Sequence, residues 1–157
     1  MAAMVSACNK DAENLPAAPA PHAPSTAALP KPGPTAAEQT AGMVQAATQG
    51  KSLLPMELKI ELGSRPKVGE ALAVNLALIS QIDASTVNVK ATGTGMTLTP
   101  EDSQFELPPA EAGNVYRHTL NLVPSADGVL ILAVTVSVKH DEITDVRAFS
   151  IPIIAER

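Results

Sequence analysis

Few residues in this chain have side chains able to do chemistry. The single thiol is Cys8, preceded by Val5, Ser6 and Ala7. The three imidazoles, His22, His118 and His140, are far apart in sequence. A zinc or copper centre needs two ligands on one face of an element and a third nearby. His118 and His140, with Met56 and Met96 as soft ligands, are the weak metal candidates; the close Met and His pairing of a copper site is missing. Two carboxylate pairs, Glu101-Asp102 and Asp141-Glu142, raise calcium or general-acid chemistry. Calcium wants several oxygens converging from one loop, whereas adjacent carboxylates on a turn usually face solvent. The sequence has no Gly-x-Ser-x-Gly elbow, glycine-rich phosphate loop or His-Glu-x-x-His pattern. No catalytic residue and no cofactor is assigned, and a non-enzyme is expected.

Composition narrows the classes further. The 157 residues carry 11 basic and 16 acidic side chains, which argues against a nucleic-acid partner. Two phenylalanines and one tyrosine are too few for stacking platforms. No run of 18 apolar residues exists to span a bilayer, and one cysteine rules out an internal disulfide framework.

The chain divides in two. Residues 9–51 hold seven of the 14 prolines and 12 alanines but no isoleucine and no aromatic residue. Such a stretch buries too little apolar surface to offset its ordering entropy, so a disordered or extended linker is expected. From Leu15 to Pro34 the prolines favour polyproline II. Thr35-Ala-Ala-Glu38 has the form of a capping box opening a short helix over 36–49, with Gly50 as its stop, or else a frayed end of the spacer. Residues 52–157 carry eight basic and 13 acidic residues, hence the whole net charge of −5, and are long enough for one hydrophobic core.

Val5-Ser6-Ala7-Cys8 resembles the lipobox of bacterial lipoproteins. The resemblance implies a signal peptidase that accepts the small residues, and a cysteine that becomes the acylated, palmitate-bearing N-terminus. Asn9 after the cysteine is compatible with delivery to the outer membrane. Residues 1–8 are then the remnant of a signal peptide. Seven residues cannot hold a basic segment and an apolar segment of about 7–15 residues, so those parts are expected upstream of Met1.

The second half alternates apolar and polar residues with a period of two, the mark of strands with one wet face. Met56 to Leu62 does so without error. Leu72, Val74, Leu76 and Leu78 form the next inward set, followed by Val87, Val89 and Ala91. Met96 to Leu98, Phe105 with Leu107, and Tyr116 to Leu122 are shorter strands. Val129 to Val138 is the longest apolar run and is expected at a sheet centre. Phe149, Ile151 and Ile153 make the last strand, with Pro152 suggesting an edge. The turn spacing predicts an all-β fold: one antiparallel two-sheet sandwich of seven or eight strands. Thr119 to Leu122, a five-residue connection, and Gly128 to Leu132 are similar to the E strand, corner and F strand of immunoglobulin-like and fibronectin-like domains. Leu130 stands where the corner tyrosine often lies, and Leu132 where immunoglobulins carry their second cysteine.

Together these readings predict a non-catalytic binding module, anchored by lipid to the periplasmic side of the outer membrane and serving as an accessory or structural subunit of an envelope assembly. Its partners are expected to be the membrane, through the anchor, and an envelope protein, which would pair with an exposed edge strand. Met56–Leu62 and Phe149–Ile154 are the expected edges. The alternatives are a copper-type or small-ligand carrier and a plain spacer domain.

Overall fold

The computed structural model describes residues 33–157. The lipidation motif Val5 to Cys8, His22 and residues 9–32 lie outside the described residues. A short helix α1 (Ala36–Gln39) and two short strands, β1 (Val44–Gln45) and β2 (Ala47–Gln49), come first. Then follow β3 (Met56–Leu62), β4 (Leu72–Ser80), β5 (Thr86–Thr94), β6 (Met96–Leu98) and a second short helix, α2 (Pro100–Ser103). The chain ends with β7 (Gln104–Leu107), β8 (Val115–Pro124), β9 (Gly128–His140) and β10 (Ile143–Ala155).

The strands form two five-stranded antiparallel sheets, ordered β1-β3-β4-β8-β6 and β2-β10-β9-β5-β7. The period-two sets fill the space between them. Leu58, Leu72, Val74, Leu120, Leu122, Leu132, Val134, Val136, Val138, Phe149, Ile151 and Ile153 are at most 2% exposed. Each such side chain stabilises the fold by about 1.5–3 kcal/mol relative to exposure.

The sandwich is immunoglobulin-like in its central strands. β3-β4-β8-β6 occupy the places of A-B-E-D, and β10-β9-β5 those of G-F-C. β8 and β9 lie in opposite sheets, joined across the corner by Ser125 to Asp127, as the E–F resemblance implies. One departure is local. The strand in the D place, β6, directly follows β5, and β7, beside β5, comes after it. Gly95, at φ +74°, makes the crossing between sheets possible within one residue.

The eight strands β3 to β10 are those the alternation predicts, and β9 lies between β10 and β5, as its long apolar run requires. The segment before residue 52 differs from the expected linker. The compact unit begins at Gly33. Instead of a helix over 36–49 there is one turn, Ala36–Gln39, and then two strands. The capping box itself forms: Glu38 N–H donates to Thr35 Oγ1 (3.3 Å), and Thr35 N–H donates back to Glu38 Oε2 (2.7 Å). The helix stops at the Thr40 C-cap, and Gly42, at φ +84°, turns the chain into β1. Val44 and Gln45 pair with Ile60 and Lys59, and Ala47 to Gln49 pair with Ser150 to Ala148. Residues 44–49 thus cross from one sheet to the other, with Ala46 buried at the crossing.

Candidate functional site

His118 and His140 sit in different sheets, on β8 and at the end of β9. His140 Nδ1 is 3.0 Å from the Asp83 carbonyl oxygen, and its Nε2 lies 3.4 Å from Asp141 Oδ2. His118 stacks on Phe105, with centroids 3.7 Å apart and planes at 15°. Met56 and Met96 are buried in the core. Among the described residues, no three His, Cys, Asp or Glu side chains group as a metal site. The carboxylate pairs have local roles. Thr99 caps α2 through Asp102, accepting from Asp102 N–H (3.2 Å) and donating to Asp102 Oδ2 (2.8 Å). Asp141 and Glu142 make the tight turn between β9 and β10, where Asp141 takes φ +53°.

The Phe105–His118 stack closes one side of the sandwich, where β7 of one sheet approaches β8 of the other. Tyr116 braces the same seam: its hydroxyl donates to the Pro109 carbonyl (3.1 Å) and accepts from Glu111 N–H (2.8 Å). His118 Nε2 is buried with no hydrogen-bond partner among the described residues. The void lined by His118, Phe105, Leu58, Leu76 and Val134 measures about 10 Å³, the threshold for one water. Its apolar walls hold no ligand-sized space.

The sheet edges are unequal. The strands expected at the edges, β3 and β10, are each covered in part by the crossing segment. β1 pairs with β3 at Lys59 and Ile60, and Ala46 N–H donates to the Leu58 carbonyl (2.8 Å). β2 covers β10 at Ala148 to Ser150; among the described residues Ile143 to Arg147 before it, and the stretch with Pro152 just beyond it, have no outer strand. The alternation of Glu57, Lys59 and Glu61 is outward-facing on β3. On the other side, β7 is four residues long and ends at Pro108-Pro109. β8 is different. β6 pairs only with Leu122 to Pro124, and Thr99-Pro100 then caps α2, so Val115 to Asn121 have β4 on one side and no strand on the other among the described residues.

The register shows which backbone groups face that opening. Ser125 N–H donates to the Gly95 carbonyl (2.8 Å), continuing the β6–β8 ladder from the outward side. Gly63 N–H donates to the Ala73 carbonyl (2.8 Å), so odd-numbered residues of β4 bond toward β3 and even-numbered ones toward β8. The even-numbered partners on β8 therefore bond to β4. Val115, Arg117, Thr119 and Asn121 turn their backbone N–H and C=O outward.

Two further surfaces stand out. On the outer face of the second sheet, Val129 opposes Ile154 and Ile131 opposes Pro152. Val129, Ile131 and Ile154 are 67%, 38% and 64% exposed. On the outer face of the first sheet, α1 is held by two cations. Lys59 Nζ donates to Thr40 Oγ1 (2.8 Å) and the Arg117 guanidinium donates to the Gln39 carbonyl. Ala77, between Lys59 and Arg117 in the register, is small enough to let α1 approach and is fully covered.

Sequence reasoning missed the β8 edge, because strand alternation carries no information on neighbour order. It also missed the Phe105–His118 pairing, which joins residues in opposite sheets. The only available signal was Thr99-Pro100, a helix start that cuts β6 short.

By sequence, no family model and no curated protein matches the chain. Among solved structures it is similar to the GAE domain of GGA2p from Saccharomyces cerevisiae, with a TM-score of 0.45 and 9% identity over 70% of this chain and 97% of that one. At that level neither activity nor partner transfers.

Proposed function

We propose that this chain is a lipid-anchored protein of the bacterial envelope whose sandwich binds another envelope protein and performs no chemistry. The observation that carries the reading is the placement of the only thiol. Cys8 follows Val5-Ser6-Ala7 and precedes a Pro/Ala-rich stretch that leads into one compact all-β body. A spacer in that position sets a folded domain away from a bilayer surface. The surfaces left open by the sandwich, the β8 edge and the Val129–Ile154 face, support binding as its task.

The test is palmitate labelling of the full-length gene product in bacterial cells, followed by fractionation and detergent extraction. The expected result is a labelled band in the outer-membrane fraction that Cys8→Ser abolishes, with a protein recovered in fixed ratio from the extract. An unlabelled product in the soluble fraction would refute anchoring. A labelled product recovered alone after crosslinking would refute the binding role.

A further inference from the structure

We infer that the open edge of β8 is the docking site for an extended peptide strand whose side chains alternate between apolar and acidic. The inference rests on reading the sandwich as a binding module and is independent of the lipid anchor.

The contrast among the edges carries it. A bare strand edge invites pairing with other chains, and folded proteins blunt such edges with covering segments, charges or prolines. Here residues 44–49 cover β3 at Leu58 to Ile60 and β10 at Ala148 to Ser150; the open parts of β10 carry Asp145 on one side and Pro152 on the other, and β7 is short and ends in two prolines. Val115 to Asn121 have one charge, Arg117, and neither a covering strand nor a proline among the described residues. Four residues there offer outward N–H and C=O groups, enough for a ladder with a strand of about seven residues.

The side chains define the partner. On the outer face this stretch shows Arg117, Thr119 and Asn121, one cation and no anion; Arg117 donates only to the uncharged Gln39 carbonyl and keeps its net charge, so an acidic side chain beside it gains attraction. On the inner face an added strand lies against Phe105, Tyr116 and His118, which favours apolar side chains. A second copy fits less well. Antiparallel pairing of two β8 strands about His118 sets the two Arg117 side chains diagonally across from each other on one face, like charge near like charge.

The test uses the full chain, labelled with nitrogen-15 and carrying Cys8→Ser, titrated with acetyl-Val-Glu-Val-Glu-Val-Glu-Val-amide at low ionic strength. Expected are saturable shifts of the Arg117, Thr119 and Asn121 amides, and amide exchange slowed about tenfold or more at saturation. A peptide with lysine in place of glutamate binds about tenfold more weakly, a difference that salt reduces. Thr119→Pro removes one outward N–H and the Thr119 Oγ1 hydrogen bond to Asn75, leaves the backbone bonds to β4, and abolishes binding, whereas Thr119→Val, which loses only the hydroxyl, keeps it. Should Thr119→Pro fail to fold, Arg117→Glu serves instead and reverses the preference between the two peptides.

Absent or unsaturable shifts, shifts centred on other strands, or equal affinity for both peptides would overturn the inference. Protection of these amides in the free chain would also overturn it. Protection that rises with protein concentration would assign the edge to a second copy, and protection independent of concentration to the chain's own N-terminal residues. A partner recovered from membranes while β8 stays silent would sink this inference and leave the proposed function standing.

Discussion

Gly95→Ala tests the sheet crossing on which the topology turns. Two costs follow from the geometry. At φ +74° an L-residue is in the left-handed region, which costs about 1–2 kcal/mol. A Cβ there would also stand 2.7 Å from Leu130 Cδ2 and 3.8 Å from Ala126 Cβ. Leu130 is only 5% exposed, so it must shift within a packed core. Such overpacking adds about 1–3 kcal/mol. The total, about 2–5 kcal/mol, is a large part of a typical stability of about 5–15 kcal/mol. Gly113→Ala is the control, because Gly113 has φ +86° but nothing within 4 Å of its Cβ position. It bears the backbone cost alone. In urea, with a slope of about 1–3 kcal/mol per molar, the two variants should differ in midpoint by about 1 M, Gly95→Ala being the weaker. Equal midpoints would refute the packing at the crossing.

Other perturbations have distinct signatures. His118→Phe keeps an aromatic ring against Phe105 and removes a buried, unpartnered nitrogen, so thermal unfolding should shift upward by an amount equivalent to about 1 kcal/mol. Asp141→Val puts a β-branched residue at φ +53° in the β9–β10 turn and should lose about 1–2 kcal/mol in the same assay. Lys59→Ala releases α1, so amide exchange over 35–43 should quicken while global stability changes by less than about 1 kcal/mol. Glu38 titrates below its ordinary value of 4.5, held ionised by hydrogen bonds from the Thr35 backbone N–H and hydroxyl. Because the folded value is the lower one, the cap's contribution is present above that ordinary value and is lost as pH falls through the folded one. The Thr35 amide resonance should follow that titration, and Glu38→Gln should flatten it.

The strands were legible where burial alternates. Met56 to Leu62 and Leu72 to Leu78 each have one face in the core, and a period of two records that directly. Val44, Gln45 and Ala47 to Gln49 carry no such pattern, because backbone pairing with β3 and β10 holds them and only Ala46 is buried between the sheets. The tail's composition therefore masked strands that contribute almost no apolar area. Thr99-Pro100-Glu101-Asp102 has the form of a cap followed by proline; adjacent carboxylates predict solvent exposure, but Asp102 is buried because it closes the cap with Thr99. The expected edges on β3 and β10 hold only in part, because residues 44–49 cover the middle of each strand, and the β8 edge was missed for a topological reason. Strands late or early in a sequence are not the only ones that lie open, and here a further stretch of exposed backbone belongs to β8 in the middle of the chain.

The intact mass of the mature polypeptide, purified from the cells that make it, bears most directly on the proposal. The account predicts a membrane-extracted chain that begins at Cys8 and carries the added mass of a thioether-linked diacylglycerol. A free thiol at Cys8 on a polypeptide recovered from the soluble fraction would contradict it.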